Sequence, residues 1–217
     1  MTAPVTLHGY RFSVYHRIAR MALAEKAVDH AVTEVDPFDP ALPATWVRMH
    51  PFGRVPVLAH GDFHLYETAA ITRYIDAAFP GPVLTPTPAK ALARMAQVIA
   101  IADNYGYRPL VRQVFAHGVF RPANGQPGDP TEVATGLEAA VPVLSALDRI
   151  AEEGLILTGT AITLADCHLA PMIAYFTAAP DGARALDRTP ALAAWWDRLS
   201  RQPSVRQTDP GLPNSDN

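Results

Sequence analysis

Two adjacent residues, Glu67 and Thr68, open a helix-like run, LYETAAITRYI (residues 65–75), with groups that can bind a small charged molecule. The first turn of a helix leaves backbone N–H groups unsatisfied and carries partial positive charge. A ligand carboxylate bound there gains these donors and the Thr68 hydroxyl, while Glu67 can pair with an ammonium of the same ligand. Both residue types also favour helix starts, so capping alone is the alternative interpretation.

Two further positions have the residue types of a binding site. The stretch HPFGRVPVL (residues 50–58) ends a polar loop in Val55-Pro56 and continues as an apolar strand. A proline at the start of an edge strand is common, so this pair has a purely structural interpretation. Ser13 stands where the first helix is predicted to begin. A serine that only caps a helix and a serine that donates to a bound group look the same in a sequence.

The composition is that of a folded protein with no preference for polyanions. Of the 217 residues 49% are hydrophobic, and the net charge of -3 comes from acidic and basic residues mixed throughout, which argues against nucleic-acid binding. Cys167 is the only cysteine, so no internal disulfide or thiolate metal cluster can form. The start, MTAPVTLHGY, lacks the features of a signal peptide, and the apolar runs are too short for a bilayer span. We therefore expect a soluble cytoplasmic protein.

Apolar periodicity predicts an α/β half followed by an all-helical half. The first half has the order β-α-β-α-β-β-α, the layout of a thioredoxin-like domain. Prolines and glycines cluster after Phe79 and predict a domain boundary there. We predict a thioredoxin-like domain over 1–80, a linker over 81–88, a helical domain over 89–207 and a mobile tail over 208–217. The predicted elements of the first half are residues 5–7, 13–28, 30–36, 45–49, 57–59, 63–65 and 67–79; the predicted helices of the second are 90–118, kinked at Pro109, 129–154, 163–178 and 190–201.

These motifs, in this order, resemble the soluble glutathione transferases over residues 4 to about 205. In that family a cis proline ends the loop and a Glu-Ser/Thr pair caps the next helix. The resemblance implies a cis Val55-Pro56 bond, with the backbone N–H and C=O of Val55 binding the cysteinyl part of glutathione as an added strand would. It also implies that Glu67 and Thr68 hold the γ-glutamyl group. Most members have Ser in place of Thr68, and the hydroxyl is kept.

The resemblance to serine-type members implies that Ser13 activates the thiol. A hydroxyl at this place donates a hydrogen bond to the glutathione sulfur, which together with the helix N-terminus favours thiolate over thiol. Tyr10 is the alternative, since tyrosine-type members keep their hydroxyl near this place, and Tyr15 is a weaker one. The turn contains no cysteine, which disfavours glutaredoxin-like exchange and the zeta-type isomerases.

One expected binding group is missing. Members of the family usually carry a basic or histidine side chain in the loop after the second strand, where it holds the glycine carboxylate of glutathione. Residues 36–46 contain no Lys, Arg or His. Arg54 and His50 are the candidates to replace it. The alternatives are a solvated loop charge for Arg54 and a loop-shaping role for His50, which stands where Asn is usual.

The helical half contains a structural motif and a candidate pocket. Thr163 and Asp166 have the spacing of a capping box, which we interpret as structural, and Cys167 and His168 on the same helix as core residues. Asp103 falls where many members carry a carboxylate that reaches the γ-glutamyl amine from the partner subunit. A further set recurs at helical spacing and is predicted to share a face that lines either the electrophile pocket or the core: Ile101, Tyr105, Arg108, Arg112 and Phe115.

The sequence thus predicts a homodimeric glutathione transferase of the serine type that acts in detoxification, closer to theta- or phi-like bacterial enzymes than to the tyrosine types. Glutathione is the co-substrate, no metal is implied, and neither nucleic acid nor membrane is a partner. The thiolate attacks an electrophilic carbon or a peroxide oxygen bound between Tyr10-Phe12 and the helical domain. The alternatives are a non-catalytic interaction module of the same fold and a narrower peroxidase, dehalogenase or ether-cleaving enzyme.

Overall fold

A computed structural model describes residues 3–213 as two compact units, the first ending at Val83 and the second beginning at Leu84. The first unit contains a four-stranded sheet with the order β2-β1-β3-β4. β2 runs parallel to β1, whereas β3 runs antiparallel to both β1 and β4. The strands are β1 (Val5–Gly9), β2 (Ala31–Glu34), β3 (Val57–His60) and β4 (Phe63–Tyr66).

Three helices complete the first unit and confirm the predicted βαβαββα order: α1 (Val14–Glu25), α2 (Trp46–Met49) and α3 (Thr68–Ala78). The core of the unit consists mainly of apolar side chains. Leu7 of β1, Leu58 of β3, Ile18 of α1 and Ile71 of α3 are fully buried, and burial of such side chains is the main favourable contribution to folding.

A buried ion pair joins the end of α1 to the end of α3. Lys26 Nζ lies 3.2 Å from Asp76 Oδ1 and donates a second hydrogen bond to the carbonyl oxygen of Pro82 at 2.9 Å. Both charged side chains are almost fully buried, so removing one would leave the other buried without its counter-charge. Pro82, which we assigned to the linker, is thereby held on the first unit.

The second unit is entirely helical, as predicted. Its helices are α4 (Ala89–Ile101), a π-helix (Ala102–Phe120), α5 (Arg121–Ala123), α6 (Pro130–Glu152), α7 (Leu164–Ala178), α8 (Pro180–Leu186), α9 (Pro190–Leu199) and α10 (Pro203–Gln207). Three short helices, α5, α8 and α10, were not predicted from the sequence, because they are too short to show a periodic pattern. None of the described helices has both the length and the apolarity to cross a membrane.

The predicted long helix over 90–118 changes its hydrogen-bonding pattern at Ala102. From there to Phe120 it is a π-helix, in which each N–H bonds to the carbonyl five residues earlier. Pro109 lies inside this segment, and a proline has no N–H to contribute to a helical ladder. The change from α-helical to π-helical hydrogen bonding alters which residues share a face, and the kink at Pro109 stays a prediction.

The buried helix α7 begins with the predicted capping box. The backbone N–H and the hydroxyl of Thr163 donate to Asp166 Oδ2 at 2.7 and 2.6 Å. The other carboxylate oxygen of Asp166 accepts a hydrogen bond from Trp195 Nε1 at 2.7 Å, a contact that the sequence did not predict. Cys167 is fully buried, in agreement with its interpretation as a core residue.

The C-terminal segment is packed further than we predicted. Thr208, the first residue of the predicted tail, is buried, and its hydroxyl donates to the carbonyl oxygen of Ser204 at 2.6 Å. A hydroxyl that bonds back four residues closes the last helical turn at α10. Residues 214–217 of the predicted tail lie outside the described residues.

Candidate functional site

The turn between β1 and α1 presents the hydroxyl of Ser13 at a helix N-terminus. Ser13 has extended dihedral angles (φ -69°, ψ 123°), and its Oγ accepts a hydrogen bond from the backbone N–H of His16 at 3.4 Å. The backbone N–H of Ser13 in turn donates to the carbonyl oxygen of Tyr10 at 2.9 Å. Capping therefore uses a lone pair of the hydroxyl and leaves its hydrogen free to donate, as a thiolate would require.

A buried histidine underlies this turn. The ring of His16 is almost fully buried, and its Cδ2 would lie only 2.6 Å from a Cβ atom built on Gly9, so the turn requires glycine at that position. Burial, with the charge of Arg20 adding to it, lowers the pKa of His16 to about 4. The imidazole is thus neutral near pH 7 and places no charge beside Ser13. The sequence analysis did not identify this residue, because burial is not a local property.

Tyr10, the alternative thiol activator, stays a neutral phenol. Its ring packs edge-on against Phe12 with centroids 5.5 Å apart. Burial raises the pKa of Tyr10, and the nearby acidic residues Asp36 and Glu34 raise it further. The phenol hydroxyl therefore keeps its hydrogen near pH 7, and Tyr10 remains the alternative donor to Ser13. Tyr15 lies one residue into α1 and is half-buried.

The Val55-Pro56 peptide bond is cis, as the resemblance implied. Val55 precedes β3, which begins at Val57, and so lies outside the sheet ladder. Within residues 3–213, neither its N–H nor its C=O takes part in a described hydrogen bond. Both groups are therefore available to an extended ligand. One contact nearby escaped the sequence analysis: Trp46 Nε1 donates to the main-chain oxygen of Arg54 at 3.2 Å.

Glu67 and Thr68 begin α3 in an unusual backbone conformation. Glu67 has φ +70° and ψ 112°, outside the regions that residues with a side chain normally occupy, and its side chain forms no capping bond. Such strain costs about 1–3 kcal/mol and concentrates at functional sites. Thr68 is buried, and within the described part of the chain its hydroxyl has no hydrogen-bond partner. The N-terminus of α3 is therefore not used by its own cap and can bind an anion.

His50 is influenced by the charges of two candidate site residues, Glu67 and Arg54. Its ring is buried against Tyr66, with centroids 4.9 Å apart. Burial lowers the pKa of His50, while the charge of Glu67 raises it and that of Arg54 lowers it, so these two side chains are its electrostatic neighbours. The net direction favours a neutral imidazole, which leaves the exposed Arg54 as the cation of this cluster.

The residues predicted to share a helix face do not all do so. Phe115 is buried and stacks on Tyr175 with centroids 4.3 Å apart, whereas Tyr105 is 67% exposed. Arg108 and Arg112 are exposed as well. The prediction was wrong for Phe115, because it assumed α-helical spacing and a π-helix has more residues in each turn.

Asp103 faces the interior of its own unit. Its Oδ1 lies 3.6 Å from Nδ1 of His168, which is fully buried on α7, and within the described residues this oxygen has no hydrogen-bond partner. The expectation for Asp103 was a carboxylate that reaches a glutathione in the partner subunit. The observed contact instead directs one oxygen inward, and the cross-subunit role stays a prediction.

No group of three or more His, Cys, Asp or Glu side chains within residues 3–213 could hold a metal ion. The groups that could bind glutathione in the first unit are instead hydrogen-bonding groups and two charges. They are the hydroxyls of Ser13 and Thr68, the main chain of Val55 and the side chains of Arg54 and Glu67.

Comparison with known proteins gives a consistent result for both units. Residues 7–83 match the glutathione S-transferase N-terminal domain, and residues 130–198 match the C-terminal domain. Glutathione S-transferase 3 of Zea mays is 28% identical over 97% of this chain and 96% of its own length. The solved structure of glutathione S-transferase III in its apo form has a TM-score of 0.84 at 26% identity and covers 97% of this chain and 98% of its own. Glutathione S-transferase I from maize, solved with an atrazine glutathione conjugate, has a TM-score of 0.81 at 26% identity, with 95% and 97% covered. The chain therefore belongs to the glutathione S-transferase family.

Proposed function

We propose that this protein is a serine-type glutathione transferase, which activates glutathione as a thiolate and conjugates it to small hydrophobic electrophiles. The family assignment and a relative solved with a glutathione conjugate support the reaction. The observation that carries the proposal is that, among the contacts of residues 3–213, three sets of hydrogen-bonding groups in the first unit are unused: the Ser13 hydroxyl hydrogen, the Val55 main chain and the first turn of α3. A module that only binds other proteins has no need of these free groups.

Glutathione binding is assigned to groups that match its parts. The N–H groups at the start of α3 and the Thr68 hydroxyl bind the γ-glutamyl carboxylate, and Glu67 pairs with the ammonium beside it. Val55 pairs with the cysteinyl backbone as an added strand would. Arg54 is the candidate to bind the glycine carboxylate, because its charged side chain is exposed, whereas His50 is buried.

Activation is assigned to Ser13. Its hydroxyl donates to the sulfur, and the positive end of α1 adds to the stabilisation of the thiolate. The thiol proton leaves to solvent, and the thiolate forms a bond to the electrophilic carbon as the leaving group departs with its electron pair. In the first unit, Tyr10 and Phe12, whose rings pack edge to face, are the candidates to contact the electrophile. We also infer a cytoplasmic homodimer, in line with the family resemblance.

The test is the ultraviolet absorbance of the thiolate of bound glutathione across pH, for wild type and Ser13→Ala. We expect a bound-thiol pKa of about 6 to 7 in wild type and about 8.5 to 9 in Ser13→Ala, because the donor to the thiolate is lost. At neutral pH the turnover number should fall about tenfold or more, with little change in glutathione affinity.

Ser200→Ala is the matched control, since Ser200 directly follows α9 and the one hydrogen bond of its hydroxyl within residues 3–213 goes to the carbonyl oxygen of Asp197. An unchanged thiol pKa in Ser13→Ala would transfer the role to Tyr10 or to the helix dipole. Failure of the wild type to bind glutathione would favour the interaction-module alternative.

A further inference from the structure

The orientation of the Val55 N–H is not set by the β-sheet. Val55 lies two residues before β3, and the ladder between β3 and β4 reaches only Val57, opposite Tyr66. A turn closed by the N–H of Gly53 donating to the His50 oxygen at 2.9 Å precedes it. The direction of this N–H must therefore come from another contact.

That contact is made through the peptide plane that joins Arg54 to Val55. The C=O of Arg54 and the N–H of Val55 belong to one rigid, planar unit and point in opposite directions across a trans bond. Trp46 Nε1 donates to this oxygen at 3.2 Å. An indole that holds the oxygen on one side of the plane therefore aims the N–H on the other side.

The indole is itself held in place. Trp46 is only 6% exposed, and its ring lies against His8 of β1, with centroids 6.0 Å apart. The backbone of Trp46 is also held by two hydrogen bonds. Its N–H donates to the carbonyl oxygen of Pro43 at 2.8 Å, and its carbonyl oxygen accepts from the N–H of His50 at 2.9 Å. The donor is thus anchored to the central strand of the sheet before any ligand binds.

We propose that Trp46 is a positioning residue, whose indole N–H holds the Arg54-Val55 peptide plane so that the Val55 N–H is directed at the cysteinyl backbone of glutathione. This inference rests on the proposed function. Preorganisation of a donor in this way lowers the cost of ordering the loop on binding. Loss of the indole hydrogen bond should weaken glutathione binding and leave the chemical step unaffected, because Ser13 is held by a different turn.

The test compares Trp46→Phe, which removes the N–H and keeps an aromatic ring, with Trp196→Phe. Trp196 makes no described hydrogen bond through its indole within residues 3–213 and lies in the second unit, so it controls for the loss of ring size. We expect the Kd for glutathione by calorimetry and the KM for glutathione to rise about three- to tenfold in Trp46→Phe, the usual effect of one lost hydrogen bond. The turnover number and the pKa of the bound thiol should stay within error of wild type.

A second variant keeps the proposal falsifiable if the phenylalanine substitution loosens the core. Benzothienylalanine at position 46 has nearly the shape of tryptophan with sulfur in place of the N–H, and it should reproduce the same rise in Kd at unchanged melting temperature. Normal glutathione affinity in both variants would overturn the role of Trp46 while leaving the transferase intact. A fall in turnover number equal to the rise in KM would also overturn it. Absence of glutathione binding by the wild-type protein would overturn the proposed function and this inference together.

Discussion

A serine hydroxyl has two lone pairs and one hydrogen, and the role proposed for Ser13 divides them between structure and chemistry. The backbone N–H of His16 occupies a lone pair through a 3.4 Å contact, which caps α1. The hydrogen remains for the glutathione sulfur. The structural and the catalytic interpretation of Ser13 are therefore compatible, and Ser13→Ala should lose both a cap of about 1 kcal/mol and the thiol activation.

Also at the residue scale, the lowered pKa of His16 predicts that the folded protein loses stability in acid. The pKa of this residue is lowered from 6.5 to about 4 in the folded protein, so between these values the unfolded chain takes up a proton that the folded chain does not. The free energy of unfolding therefore falls as pH decreases through this window, by about 2 to 3 kcal/mol at pH 4.5. His16→Phe should lose this part of the pH dependence, as measured by urea unfolding at pH 7 and pH 4.5.

The buried His50 and the half-buried His8, whose pKa values are also lowered by burial, remain in that variant. Both destabilise the protein in acid in the same direction. The variant should thus keep a smaller pH dependence, and an unchanged pH dependence would show that His16 is protonated in the folded state.

At the scale of elements, the start of α3 is the proposed site for the γ-glutamyl group, because its own cap leaves it open. Thr68 contributes a hydroxyl and Glu67 a carboxylate from a strained backbone. Thr68→Val keeps the shape of the side chain and removes the hydroxyl, so the KM for glutathione should rise about three- to tenfold. Thr68→Ser should bind like wild type. Equal KM values for valine and serine variants would show that the hydroxyl plays no part in binding.

The second prediction at this scale concerns the start of α7. Asp166 accepts two hydrogen bonds from Thr163 and one from Trp195 in a fully buried position. Burial raises the pKa of Asp166, and the bonds from Thr163 and Trp195 oppose this rise. Asp166→Ala leaves the Trp195 N–H buried and unpaired, so the free energy of unfolding should fall by about 3 kcal/mol or more.

Denaturant unfolding measures this loss, with Asp197→Ala as the control. Asp197 lies on the exposed side of α9 and pairs with Arg201 at the surface, where such pairs contribute little. A loss of similar size in both variants would contradict a special role for the Asp166 contacts.

At the scale of the whole molecule, the main open prediction is the homodimer. This prediction rests on the resemblance to the soluble glutathione transferases. Light scattering after size exclusion should give about twice the 23.4 kDa of one chain at micromolar concentration. A mass of one chain that persists at high concentration would rule out the dimer and the cross-subunit role of Asp103.

Features that depend on neighbours along the chain could be predicted from the sequence. The order of strands and helices, the cap at Thr163-Asp166 and the positions of Ser13, Val55-Pro56 and Glu67-Thr68 follow from periodicity and from short motifs, because their physical causes act within a few residues. The same reasoning failed for the helix face that contains Phe115, since a π-helix in place of an α-helix leaves no clear trace in the apolar pattern.

Tertiary structure alone decided the contacts between distant segments. The burial of His16 against Gly9, the bond from Trp195 to Asp166 and the inward turn of Asp103 join residues whose separation along the chain gives no local signal. The hydrogen bond from the Trp46 indole to the main-chain oxygen of Arg54 likewise depends on how the loop between them folds. A hydrogen-bonding group is free for a ligand only if no other group of the folded chain pairs with it. The sequence does not show these pairings, because they form between distant segments on folding.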